Sequence, residues 1–283
     1  MTNCRLCNSE NIETIANLEH DGFEYTIVFC EGCDLLQSLE HHYEVSPEYI
    51  FLRPVDVDGI RVWCQGNHKH KAFQHWAKII KRLKPNKNKL RLLDIGCGTG
   101  GFLEYANNIG FELHGFDASN AQVGYARKLF PNVRHAKGCF DYLDKYGDQN
   151  LLFDVVTLWD VLEHIRNPLD YLREVREVIR PGGLIYISTP NGLAKLWKLN
   201  LYKYLSINID LCGELTPWEH VFYYSHRSLE ILLSQSGFNV LKLGIVPCYQ
   251  GPLSMFEISR RTLYFTMNML PSKAFQIYAW ASA

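Results

Sequence analysis

Leu90 to Phe102 reads LRLLDIGCGTGGF. Leu90, Leu92, Leu93 and Ile95 form the short apolar run of a buried strand, which ends in Asp94-Ile95-Gly96-Cys97-Gly98-Thr99-Gly100 with a helix expected from Phe102. A glycine-rich turn between a strand and a helix lets backbone approach a ligand closely and aims N–H groups at it. The expected ligand has a nucleoside and a charged end. Gly96-x-Gly98-x-x-Gly101 also fits the turn that holds a dinucleotide pyrophosphate. Asp94 weighs against that reading, because an acid two residues ahead of the first glycine repels a pyrophosphate and accommodates a cationic group.

Outward from this turn, strand and helix patterns alternate, which calls for an α/β fold with a parallel sheet covered on both faces. A helix Phe102–Ile109 is followed by a strand Glu112–Asp117, a helix Ser119–Phe130 and strands Val133–Gly138 and Phe153–Leu158. Asn167-Pro168 opens a helix with Leu169, Leu172, Val175 and Ile179 on one face, and Leu184–Ser188 is the fifth strand. Ser228–Gly237 reads as a helix, Phe238–Val246 as a sixth strand, Phe256–Met267 as a further helix and Phe275–Trp280 as a final antiparallel strand. Asp117 closes the second strand 21 positions after Gly96, where a carboxylate accepts both hydroxyls of a ribose. Ligands of open α/β sheets sit outside the carboxyl ends of the strands, which brings Trp159 and Asp160 to the site.

On these residues, DIGCGTG resembles the first motif of class I S-adenosylmethionine (SAM)-dependent methyltransferases. The likeness extends over roughly residues 90 to 245 and includes the Arg180-Pro181-Gly182-Gly183 turn before the fifth strand. It implies a Rossmann-like seven-stranded sheet, mostly parallel, with the last strand antiparallel. It also implies SAM held by Asp94, Gly96, Cys97, Gly98, Gly100, Asp117 and Ala118, with Phe140 and Asp141 at the adenine and Trp159 and Asp160 beside the methionine part.

Glu163-His164 resembles the "LEH" of many small-molecule methyltransferases, and residues 190–225 fall where that family varies its substrate site, with Leu193–Leu205 as a candidate lid. The stretch Thr216 to Ser225 resembles segments of O-methyltransferases and of deoxysugar C-methyltransferases, which also begin with a comparable zinc module. The acceptor implied is a hydroxyl, or a carbon, of a sugar nucleotide or glycan precursor. A quinone-like or other phenolic natural product, an RNA, and a non-catalytic SAM-binding role are the rivals. His220 is the expected base, since a near-neutral imidazole can take the hydroxyl proton, with Glu219 or a tyrosine orienting it and His164 as a second candidate.

The N-terminus carries a separate signal. Cys4-x2-Cys7 and Cys30-x2-Cys33, with 22 residues between the two pairs, supply the four thiolates of a closed tetrahedral structural zinc site, as in a zinc ribbon. So small a module needs its metal to fold and is expected to act as a clip on the catalytic domain. The expected organisation is a zinc-binding module over 1–40, a helical lead-in over 41–89 and a methyltransferase domain over 90–283. In the lead-in, Phe73, Trp76, Ala77, Ile80 and Leu83 have helical spacing over His68–Leu83. Arg61, Cys64, His68 and His70 are not read as a second metal site. A formal net charge of −1 gives no general reason to bind nucleic acid. The first residues lack the basic and apolar regions of a signal peptide, and no apolar run approaches the ~18 residues of a membrane span, so a cytoplasmic protein is expected. The oligomeric state is not legible.

Overall fold

The computed structural model of the chain describes residues 3–40, 70–83, 90–207, 210–245 and 276–283. Strands β1 (Ile12–His20) and β2 (Phe23–Cys30) form a hairpin with pairs from Ile12↔Cys30 to His20↔Phe23. Its two-residue turn, Asp21-Gly22, has both φ angles positive (51° and 78°), a backbone that Asp-Gly adopts with little strain and that matches the twist of paired strands. The chain returns through the second Cys-x-x-Cys into β3 (Leu35–Ser38), antiparallel to β2.

After α1 (His70–Leu83) the chain enters the main sheet at β4 (Arg91–Ile95) and continues through α2 (Gly101–Asn107), β5 (Glu112–Asp117), α3 (Asn120–Ala126) and β6 (Val133–His135). There follow α4 (Cys139–Tyr146), β7 (Phe153–Trp159), a 3₁₀ turn (Leu162–His164), α5 (Pro168–Glu177), β8 (Ile179–Pro190), α6 (Gly192–Tyr204) and α7 (Leu211–Leu215). The last elements are β9 (Phe222–Tyr223), α8 (His226–Gln235), β10 (Asn239–Ile245) and β11 (Gln276–Ser282). The seven-stranded sheet has the order β10-β11-β8-β7-β4-β5-β6. β4 to β8 are parallel where they pair, and β11 runs antiparallel between β8 and β10.

Alternation along the strands divides the core between the two faces. Leu93, Ile95, Val156, Leu158, Ile185 and Ile187 pack with Leu172 and Val175 of α5 and with Leu229, Leu232 and Leu233 of α8. Leu92, Val155, Leu184, Tyr186 and Trp280 pack on the other face with Phe73 and Trp76 of α1 and Phe102 and Leu103 of α2. The helical spacing of Phe73, Trp76, Ala77 and Ile80 is thus the buried stripe of α1.

Three departures from expectation bear on the site. β6 stops at His135, three residues short of Gly138, because the chain turns at an extended Gly138 into α4, so Cys139-Phe140-Asp141 is a helix start. The expected lid is a regular helix, α6, capped by Asn191, whose side chain accepts the Leu193 N–H. β9 pairs with β3 (Leu36↔Tyr223 and Gln37↔Phe222), so the N-terminal sheet takes its fourth strand from the variable substrate segment. The expected helix Phe256–Met267, and the residues around Arg61, Cys64 and His68, lie outside the described residues. Among the described residues no helix is long and apolar enough to cross a membrane.

Candidate functional site

The glycine turn sits at the carboxyl end of β4, in the middle of the sheet. Gly96, Gly98 and Gly100 all have positive φ (67°, 54° and 88°). Side chains here would also collide: a Cβ on Gly96 would lie 2.5 Å from Val161 Cγ2, and one on Gly98 would lie 2.7 Å from Gln122 Oε1. The amides of Gly96 and Cys97 donate to the Phe116 carbonyl (2.8 and 3.1 Å), Gly98 donates to Asp117 Oδ2 (2.9 Å) and Gly100 to the Cys97 carbonyl (2.9 Å). With these four amides satisfied inside the protein, the turn is not the nest of open N–H donors that a pyrophosphate requires. It is a smooth wall whose charge comes from carboxylates. The Cys97 thiol is buried and its pKa is pushed well up, so it packs as a small apolar group.

Asp94 is 2% exposed and accepts the Thr157 hydroxyl at 2.7 Å, so the neighbouring strand β7 fixes the acid beneath the turn. Asp117 ends β5 and accepts two backbone N–H groups, from Gly98 and from Ser119 (2.8 Å), which tie the acid to both loops. Burial raises its pKa, and the bonds from Ser119 and Gly98 oppose that rise. The adjacent Ala118 carbonyl is held by His135 Nε2 at 3.0 Å. Phe140, in the first turn of α4, leaves its ring half exposed while its N–H donates to Glu174 Oε1 at 2.9 Å. Asp141 accepts the Lys137 N–H and the Lys145 ammonium, each at 2.9 Å. The Phe140 ring face is open and its N–H has an acceptor, while the exposed Asp141 carboxylate keeps lone pairs beyond these two bonds.

Trp159, the last residue of β7, is 8% exposed and wedged against Tyr186, Phe73 and Phe102, with ring centroids 4.6, 5.0 and 5.0 Å away. Its indole N–H is buried with no partner among the described residues. Such a donor costs about 1–3 kcal/mol until something accepts from it. The next residue, Asp160, takes a left-handed φ of 56° that Asp tolerates better than most, and its carboxylate accepts from Gln276 of β11 at 2.8 Å.

The 3₁₀ turn and the segment before β9 converge. Glu163, His164 and His220 bring a carboxylate oxygen and two imidazole nitrogens within 4.8 Å of one another. Glu163 is 1% exposed and accepts the Thr189 hydroxyl at 2.9 Å. His164 Nδ1 donates to the Glu219 carbonyl at 2.9 Å, which leaves Nε2 as its acceptor atom. The His220 ring lies 4.8 Å from that of His164 and meets Thr216 Oγ1 through Nδ1 at 3.3 Å. Thr216 and the ring of Tyr223, rather than the Glu219 carboxylate, are its neighbours in the described contacts. Burial, with the charges of His164 and Lys195, pulls the His220 pKa down to about 3. A pKa that low leaves His220 a weak proton acceptor near neutral pH, unlike the near-neutral imidazole expected from the sequence. The three groups are also of the nitrogen and oxygen types that divalent cations take.

At the N-terminus the four cysteine sulfurs gather in one cage, with Cys4–Cys33 at 3.5 Å, Cys7–Cys30 at 3.6 Å and all within 4.8 Å. Zn–S bonds of about 2.3 Å in a tetrahedron put sulfurs roughly 3.8 Å apart, so the cage fits zinc closely.

A family model described as a methyltransferase domain matches residues 68–243. The chain belongs to this family, the class I SAM-dependent methyltransferases. The methyltransferase is 38% identical over 194 residues to the ubiquinone biosynthesis O-methyltransferase of Roseobacter denitrificans, a match covering 65% of this chain and 74% of that protein. It is 40% identical over 116 residues to the protein of the same name from Ruegeria pomeroyi, covering 39% of this chain and 45% of that protein. In the latter, as in the relative from Cereibacter sphaeroides at 42%, the match spans less than half of the relative's length. Its fold is that of the plantazolicin methyltransferase BpumL solved with SAH (TM-score 0.53, 19% identity, covering 83% of this chain and 93% of that one). It is also that of the chain in the complex of the Haloferax volcanii Trm112 activator with a methyltransferase (TM-score 0.55, 17% identity, 80% and 94%).

These relatives overturn the sugar-nucleotide acceptor and the place in carbohydrate biosynthesis expected from the sequence, since they are named ubiquinone biosynthesis O-methyltransferases. The resemblance behind that expectation rested on a short histidine segment and on the N-terminal cysteine pairs, features that do not by themselves specify an acceptor. The methyltransferase also holds residues that sequence reading passed over. Thr157, Gln122 and Lys195 carry no motif, and their part in the site comes from strand pairing and helix packing. Glu163 was legible as half of a Glu-His pair, yet nothing in the sequence said that its carboxylate would be buried beside His220.

Proposed function

We propose that the methyltransferase transfers the methyl group of SAM to a phenolic hydroxyl of a small quinone-like acceptor. The observation that carries this reading is the likeness to ubiquinone biosynthesis O-methyltransferases, which in the Roseobacter protein covers 74% of the relative. SAM supplies a methyl group on a cationic sulfur. Asp94 and the glycine turn favour that cationic end, Asp117 accepts the ribose hydroxyls, and Phe140 and Asp141 border the adenine. The buried Trp159 N–H, beside Asp160, is a fitting donor for the carboxylate of the methionine part. His164, fixed as a donor through Nδ1, takes the acceptor proton at Nε2, while neutral His220 and buried Glu163 hold it in place. Alignment of the two reactants supplies much of the rate.

In the same reading the cysteine cage holds one structural zinc, the module spans 1–40 and the lead-in 41–89, and the domain over 90–283 uses residues 190–225 as its substrate wall. Neither nucleic acid nor a membrane is needed for the reaction. The test is transfer of labelled methyl from SAM to a panel of catechols, hydroxylated quinols, nucleotide sugars and total RNA. Label on the phenols is the expected result. Label confined to sugars or RNA would refute the acceptor class.

A further inference from the structure

Lys195 packs beside Tyr223, whose ring lies 5.7 Å from that of His220, and has no part in the scheme above. It lies in the first turn of α6, and α6 is pinned to β9: the Gly192 N–H donates to the Tyr224 carbonyl at 2.8 Å, and a Cβ on Gly192 would lie 2.2 Å from the Tyr223 oxygen. This close approach carries the Lys195 ammonium over the Tyr223 ring, 5.5 Å from its centroid, on the strand that follows His220. The ammonium donates to the Glu214 carbonyl of α7 at 2.5 Å. An ammonium has three protons, so two are left for other acceptors. The charged groups that act on it are Glu214 and Lys198, paired with each other at 2.5 Å, and Glu163, and it acts in turn on His220, whose ring lies 5.7 Å from that of Tyr223. Burial is the largest influence on Lys195 and lowers its pKa, with Glu214 and Glu163 acting the other way.

We propose that Lys195 is a catalytic residue that binds the acceptor oxygen in its ionised form and so selects acidic hydroxyls, phenolic or enolic, over the alcohols of sugars. The proposal rests on the acceptor site placed above at Glu163, His164 and His220, and it names the acceptor's chemistry there. A fixed cation in a partly desolvated wall lowers the pKa of an oxygen brought beside it, by about 1–3 units for a close opposite charge. The phenolic proton leaves through His164 Nε2 to solvent. The phenolate oxygen then forms the O–CH3 bond as the S–CH3 bond breaks and its electron pair stays on sulfur, so the sulfonium and phenolate charges cancel. A sugar alcohol, far less acidic, gains too little from the same ammonium.

The test uses the full-length protein with Lys195→Met and Lys195→Arg. A nitrocatechol, whose absorption moves on ionisation, is titrated in the presence of SAH, and turnover of a catechol is followed against pH. In the wild type the bound nitrocatechol ionises about 1–3 pH units below the free compound, and the acid limb of kcat moves down with it. Lys195→Met loses both displacements and about 100-fold in kcat/KM, Lys195→Arg keeps the displacements, and SAH affinity is the same in all three. Catechols turned over by the wild type with the ionisation shift intact in Lys195→Met would overturn the role of Lys195 and leave the proposed function standing. Phenols neither bound nor methylated by the wild type would overturn both.

Discussion

Replacement of Asp117 by alanine separates the cofactor reading from a merely structural one. In the protein as described, this carboxylate is 6% exposed and accepts the N–H groups of Gly98 and Ser119. Two further hydrogen bonds from a ribose diol would be charge-assisted, each contributing about 1.5–3 kcal/mol. Their combined loss, roughly 3–6 kcal/mol, is reduced by water that enters the vacated space, and the lower end corresponds to about a 100-fold rise in Kd. Asp117→Asn keeps one acceptor oxygen but turns an NH2 group toward donors, so about a 10-fold rise is expected. Stability falls less than affinity, because removing a carboxylate whose pKa burial has raised also removes a desolvation cost. Calorimetric titration with SAH, which carries the same ribose, gives the numbers, and thermal unfolding without ligand gives the control. The ionised carboxylate is the binding form and its pKa is raised in the unliganded protein, so wild-type affinity should weaken as pH falls through that raised value, and this dependence should vanish in Asp117→Ala. An SAH Kd within about 3-fold of wild type in a folded Asp117→Ala protein would refute the reasoning.

Gly100→Ala should cost roughly 2–3 kcal/mol, since φ is 88° and the new methyl would lie 2.8 Å from Phe130 Cε2; the melting temperature should drop by roughly 5–10 °C. His220 has a depressed pKa, so only the unfolded chain takes up this proton between about 6.5 and 3, and stability is lost as pH falls through that window. Melting curves of His220→Asn should accordingly show a shallower decline from pH 7 to 5 than the wild type. His164→Ala should lower kcat at least about 100-fold without moving the SAH Kd, whereas unaltered turnover would remove His164 as the proton acceptor. Metal analysis should find about one zinc per chain. Stripping the metal should raise hydrogen exchange in Leu35–Ser38 and, through the β3–β9 pairing, in Phe222–Tyr223, and protection retained at β9 would break that link.

Much of the catalytic domain is legible in sequence because its signals are local. Apolar runs bounded by turns mark the parallel strands, and Gly96, Gly98 and Gly100 are required by three positive φ angles inside one turn. Asp94 and Asp117 stand out because one is the penultimate and the other the last residue of a strand, and the two Cys-x-x-Cys pairs announce a four-sulfur cage before any fold is known. Tertiary structure decided what depends on groups distant along the chain. The short strand β9 has too few residues to declare itself and exists because β3, 187 positions away at Leu36↔Tyr223, offers it an edge. The protonation of His220 follows from burial, which its neighbours in sequence do not reveal. Lys195 reads as one of several helix lysines until the packing of α6 against β9 and α7 sets it over the Tyr223 ring, the neighbour of the His220 ring. Backbone conformation is set largely by each residue and its neighbours, whereas the charge state and reach of a side chain are set by whatever the fold brings beside it, so the glycine turn was written in the sequence and the grouping of Glu163, His164 and His220 was made by the packing.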